Sequence, residues 1–215
     1  MQKTKFRHGD IFAVPLPDGT YLPGRIMLDI YGCLKKRLFP EDSPLPGLGR
    51  AVAVEMYSKP ITDLEFQKSE ILIPGAYVDN DEFGNSWPII GNNPVDPKSV
   101  QFPETLIGYM HTHGEVAFEC GEISIPISMD LSKQREIGVY KSPKSTFLWP
   151  MMCLTQMDRL DLIPEKYRHC CGLSSSDLRY SKYRDMIYKL LPIKKTDTYY
   201  EQQKQLGLDF DRLYD

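Results

Sequence analysis

Apolar positions along the chain fall into short runs punctuated by turn-forming residues, not into long helical stripes. Residues 10–16 are rich in strand formers, Pro17-Asp18-Gly19-Thr20 supplies turn chemistry, and a second apolar stretch occupies 21–30. That sequence of features predicts an N-terminal β-hairpin. Pro15 and Pro23 donate no ladder hydrogen bond, so the pattern places them at a free edge or a bulge. Residues 39–49, FPEDSPLPGLG, are dense in Pro and Gly and predict a surface loop. Residues 50–57 and 70–78 are compact and β-branched enough to be buried strands. A polar, acidic stretch at 79–85 precedes apolar residues 87–90 and the turn-like GNNPVDP. Residues 105–113 and 115–127 then predict two further strands, with Gly114 and Gly121 as bend points.

The last third changes style. Leu178, Tyr183, Ile187 and Leu190 recur near helical spacing, serines able to cap amides precede them and Pro192 ends the run, so a helix is predicted over 174–191. A second short helix is predicted over 198–206, followed by DFDRLYD as a tail that frays or packs. The resulting expectation is an α+β, mostly β fold: a strongly bent antiparallel sheet or small barrel with helices near the C-terminus. A β-rich region at 1–108 is followed by further strands and then helices over 109–215, either in the same compact domain or apart. A chain of 215 residues admits both.

Composition narrows the class. The 41% hydrophobic and 26% charged fractions are those of an ordinary folded protein, which at this length buries roughly 70% of its unfolded-state surface. Five cysteines without any Cys-x-x-Cys pair argue against a secreted disulfide framework and for a reducing compartment. The first ten residues are charged and lack the apolar core of a signal peptide. The longest apolar run, 147–154, contains Pro150 and is far shorter than the roughly 20 residues that span a bilayer. A cytoplasmic chain without a membrane segment is expected. A net charge of -3 gives no general attraction to phosphate backbones, so no direct nucleic-acid partner is expected. Lys35-Lys36-Arg37, the densest basic cluster, reads as a solvated loop.

Candidate chemistry is sparse. His111 and His113 share one strand face and suit zinc, but two ligands do not make a site. The zinc isopeptidase pattern needs Ser-x-x-Asp, and Ser128-Met129-Asp130 is late and short. The Pro-Cys-x-x-Cys half of zinc deaminases is absent. A looser soft site from His111, His113 and Cys120, or from His169-Cys170-Cys171, stays chemically open; the plainer reading is polar strand histidines and thiols packed as small hydrophobes. Asp79-Asn80-Asp81-Glu82-Phe83-Gly84 imitates a calcium loop, yet Phe83 and Ile90 stand where oxygen ligands belong. Glu104, Glu115, Glu119 and Glu122 give no assignable acid/base pair. Neither a nucleophile elbow nor a Walker or dinucleotide fingerprint is present. The expectation is therefore a binding protein with no catalytic residue, no metal and no cofactor.

Two blocks carry a resemblance. GDIFAVPLPDGTYLPGRIM, residues 9–27, resembles the opening of the immunity protein 26 family of bacterial polymorphic toxin loci. ILIPGAYVDNDEFGNSWPIIGNNPV, residues 71–95, is similar to a later part of the same family, including a Trp before an apolar pair and glycine. The resemblance covers roughly the first half and stops near Gly108. It implies a mostly β fold and a protein that binds and neutralises a cognate protein toxin, without naming the toxin. The alternative it carries is a metal-dependent phosphotriesterase-like hydrolase, which requires metal ligands or a nucleophile; a ligand-binding β barrel without a toxin partner is the third reading.

Under the immunity reading the expected contact residues are acidic. Asp79, Asp81 and Glu82 form one cluster, and Asp209 and Asp211, with Asp215, form another. Carboxylates steer the encounter with a basic partner, and Phe83 is expected to serve as the aromatic anchor of the first loop.

Overall fold

Residues 10–28 form the hairpin that their patterning predicts. In the computed structural model, which describes residues 6–108, 116–139 and 148–214, β1 (Asp10–Pro15) pairs antiparallel with β2 (Tyr21–Leu28), Ile11 opposite Arg25 and Pro15 opposite Tyr21. β3 (Ala51–Tyr57) and β4 (Ile71–Asp79) extend the sheet beyond β2, and β5 (Ile89–Asn92) joins the far side of β1. The order is β4-β3-β2-β1-β5, antiparallel throughout. Both prolines sit where one flank of their strand carries no ladder. β5 pairs only with residues 10–12 of β1, leaving Pro15 free on that side, and pairing of β2 with β3 begins at Gly24, one residue after Pro23.

Gly24 shows why the sheet's centre needs a glycine. A Cβ there would stand 2.4 Å from Phe12 Cζ and 2.6 Å from Met56 Sδ. Those two side chains meet across β2 only because nothing projects between them.

A second, three-stranded antiparallel sheet has the order β6-β7-β8, from β6 (Glu104–Gly108), β7 (Val116–Cys120) and β8 (Ile123–Ile127). The single strand expected over 115–127 is two strands. Gly121, with φ 58, and Glu122 form the two-residue turn that pairs Cys120 with Ile123. The α+β class holds, but one strongly bent sheet or barrel does not. The described residues form two sheets, and β4 and β5 stand at opposite ends of the larger one, so it does not close on itself.

The chain divides into two units. The first comprises Met1–Gly32, Gly49–Asp96 and Lys144–Gly172, and the second Cys33–Leu48, Pro97–Pro143 and Leu173–Asp215. The first holds β1 to β5 with α3 (Trp149–Gln156) and α4 (Glu165–Arg168). The second holds β6 to β8 with α2 (Leu131–Ile137), α5 (Arg184–Tyr188) and α6 (Tyr199–Gln205). The short α1 (Ile30–Lys35) bridges the boundary in sequence.

In the second unit α2 begins at Asp130, whose carboxylate accepts from Lys133 N at 2.8 Å, and ends at Gly138 with φ 77. Gln134 on its buried side donates to the Leu106 carbonyl at 2.6 Å, tying the helix to β6. α6, the short helix expected over 198–206, begins with a capping box: Thr198 accepts from Glu201 N, and the Glu201 carboxylate accepts from Thr198 N. The helix expected over 174–191 is broken into 3-10 turns at Leu173–Ser175 and Leu178–Tyr180 followed by α5. Asp177 leaves helical space (φ -148, ψ 117) to accept from Arg179 N, and Ser181 is extended again (φ -101, ψ 139). Short polar side chains that bond nearby backbone compete with helix propagation, and here they win over the apolar spacing.

The tail packs instead of fraying. Phe210 is buried, its ring edge-on to Tyr199 at 5.1 Å and to Phe102 at 5.9 Å. No described helix is long and apolar enough to cross a membrane.

Candidate partner interface

The acidic loop joins β4 to β5 in the first unit. Asp79 is the last residue of β4, opposite Ala51, and Asn80 N donates to the Arg50 carbonyl at 2.9 Å. Arg50 in turn donates from Nε to Asn80 Oδ1 at 3.1 Å and forms an ion pair with Asp81. Beyond Asp81 the chain winds tightly: Asn85 Nδ2 donates to the Asp81 carbonyl at 2.6 Å, Trp87 N to the Glu82 carbonyl at 3.0 Å, and Gly84 N, at φ 72, to the Trp87 carbonyl at 2.9 Å. These bonds close the loop on itself and tie its start to Arg50. Asp81 is exposed, and Asp79 and Glu82 are half-buried. Arg50 pairs with the exposed Asp81 of the loop.

Phe83 does not fill the role expected of it. It is 3% exposed, its ring 4.9 Å from Phe12, 5.7 Å from Trp87 and 5.3 Å from Phe6. Phe12 and Trp87 stack at 5.6 Å. The aromatic is spent inside its own unit, where edge-on and stacked ring pairs add to the burial of large apolar area. It packs the loop against its own unit.

Asp209 and Asp211 lie in the second unit, both exposed. Asp211 accepts from the Tyr200 hydroxyl at 2.6 Å, and the Asp209 carbonyl accepts from Arg212. The two acidic groups thus belong to separate units, and Asp215 lies outside the described residues.

Glu104, Glu122 and Cys120, also singled out by sequence, are structural. Glu104 and Glu122 are buried and each is paired with an arginine, Arg184 and Arg212 respectively. Cys120 is buried, and burial pushes its thiol well above the ordinary range. His111, His113 and Glu115 lie outside the described residues. Among the described residues no group of three His, Cys, Asp or Glu side chains is placed to hold a metal ion.

Sequence reasoning missed a buried charged cluster in the larger sheet. Arg25 and Glu55 face each other across β2 and β3, paired at 2.8 Å with side chains 9% and 2% exposed. Arg25 Nη1 also donates to the Pro94 carbonyl at 3.2 Å. Tyr57 lies on the same strand face two residues from Glu55, and burial, with the Glu55 charge next, raises its hydroxyl above the usual range. The available signal was one Arg in YLPGRIML and one Glu in AVAVEMY, opposite charges lodged in neighbouring apolar strands. Removing one partner of such a pair leaves the other charge buried and uncompensated, so the two side chains depend on each other.

Residues 7–107 match the family model of Immunity protein 26. That segment spans all five strands of the larger sheet and continues through β6 to Ile107. No curated protein and no solved structure matches the chain.

Proposed function

We propose, from the place of residues 7–107 in the immunity protein 26 family, that this chain is an immunity-type protein that neutralises a cognate bacterial toxin by direct association in the cytoplasm. The family match is the observation that carries this reading. The acidic loop supports it: carboxylates presented on a turn raise the encounter rate with a basic partner. A nuclease toxin fits that charge, because a surface built to hold phosphate is basic.

In this reading Asp79, Asp81 and Glu82 steer the toxin, and Asp209 and Asp211 add a weaker contribution that salt screens. Phe83 acts indirectly by holding the loop against the sheet. The test is binding of the purified chain to the toxin encoded beside it, followed by interferometry at two ionic strengths. A complex that forms faster at low salt is expected. Absence of any complex with that toxin, from folded protein, contradicts the reading.

A further inference from the structure

Cys170 and Cys171 follow the short α4, and their thiols turn to the same atom. Cys170 Sγ lies 3.2 Å and Cys171 Sγ 3.0 Å from the Tyr167 carbonyl oxygen, which also accepts Cys170 N at 3.0 Å. The His169 N–H is directed at the same oxygen, and a carbonyl has two lone pairs, so four donors crowd it and both sulfurs are drawn to one side of the turn. Cys170 is half-buried and Cys171 buried. The Cys171 thiol is pushed up to about 11, by burial first and by the adjacent Cys170 second. Two soft donors therefore sit side by side, one of them open to solvent.

We propose that Cys170 and Cys171 form a two-thiol site for a soft monovalent cation of the copper(I) class, held between the two sulfurs. Thiolates select such ions over hard ones. Zinc is a poor occupant, because a structural zinc needs four donors and a catalytic one three, and among the described residues no third His, Cys, Asp or Glu joins the pair. A direct disulfide is also disfavoured. Neighbouring Cα atoms are about 3.8 Å apart, short of the roughly 4.4–6.8 Å that an unstrained disulfide spans. An ion between the sulfurs lengthens the bridge by one bond and removes that conflict.

Binding breaks two S–H bonds, forms two copper–sulfur bonds and releases two protons to solvent, with no change of oxidation state. The bound centre carries one net negative charge.

The experiment is an anaerobic titration of the reduced, full-length protein with copper(I) against a chromophoric copper(I) chelator, with circular dichroism recorded at each point. One equivalent held per chain is expected, with X-ray absorption reporting two sulfur neighbours. Cys170→Ser, which keeps a donor to the Tyr167 carbonyl, should lose that equivalent while keeping the wild-type spectrum, as should Cys171→Ser. Cys153→Ser should retain it. Wild-type protein that yields all its copper to the chelator overturns the proposal. So does a folded Cys170→Ser variant that still holds one equivalent, and because Cys170 is half-buried this variant decides the matter even if Cys171→Ser does not fold.

Discussion

Glu104, at the start of β6, is clasped by Arg184 of α5, whose Nε and Nη2 donate to its two carboxylate oxygens at 2.7 and 2.5 Å. The Tyr188 hydroxyl adds a third bond at 2.8 Å. Glu104 is 4% exposed, so removing the guanidinium leaves a buried carboxylate with one donor. Arg184→Met should lower unfolding free energy by about 2–4 kcal/mol, the lower end reflecting partial exposure of the arginine. Arg184→Lys should recover only part of this, since an ammonium cannot repeat the two-pronged contact. Urea titration of the three proteins, with equal slopes, is the check.

Glu122 predicts an unusual pH dependence. Burial raises its carboxyl above the ordinary 4.5, against the opposing pull of Arg212. A carboxyl raised in the folded state binds its proton more tightly there than in the unfolded chain, so stability falls as pH climbs from about 4.5 through the raised value and is flat above it. Glu122→Gln removes this titration. The difference in urea midpoint between wild type and Glu122→Gln should therefore shift against wild type as pH rises through that window. A difference that is constant from pH 4 upward contradicts the assignment.

The ring cluster of Phe12, Phe83 and Trp87 should dominate the stability of the first unit. Phe83→Ala opens a cavity among those rings and should cost about 3–5 kcal/mol, measured by thermal or urea unfolding. Any loss of toxin binding in that variant follows from loss of the loop's support, and Phe83→Leu, which keeps most of the volume, should bind nearly as wild type does.

The acidic loop makes a kinetic prediction. Replacing Asp79, Asp81 and Glu82 together with Asn, Asn and Gln should slow association with the toxin by about tenfold at low ionic strength, with the gap closing as salt rises. The dissociation rate should change less. An unchanged association rate at low salt would make the loop a solvated turn.

Much of the fold was legible because its signals are local. The Pro17-Asp18-Gly19-Thr20 turn, the apolar runs of β3 and β4 and the short helical segment after Thr198 each specify an element within a few residues. The failures arise where distant or competing contacts decide. Periodicity at Leu178, Tyr183 and Ile187 suggested one helix, but Asp177 and Ser181 bond the backbone and break it. Phe83 looked like a surface anchor because its neighbours are acidic; its burial depends on Phe12, more than 70 positions away by sequence number. The Arg25 to Glu55 pair required knowing that β2 and β3 are adjacent and in which register. Division of the larger fold into two sheets was equally hidden, since an apolar run shows that it is a strand but not which strand it joins.

The central claim, neutralisation by association, is tested most directly by titrating the activity of the adjacently encoded toxin with this chain at toxin concentrations well above the dissociation constant. A blocking partner should give a linear fall in activity that ends at one chain per toxin, and the end point should stay there however long the mixture is incubated. Undiminished toxin activity in the presence of excess folded chain contradicts the account, as does inactivation by far less than one equivalent that deepens with time, the behaviour of an enzyme and not of a bound inhibitor.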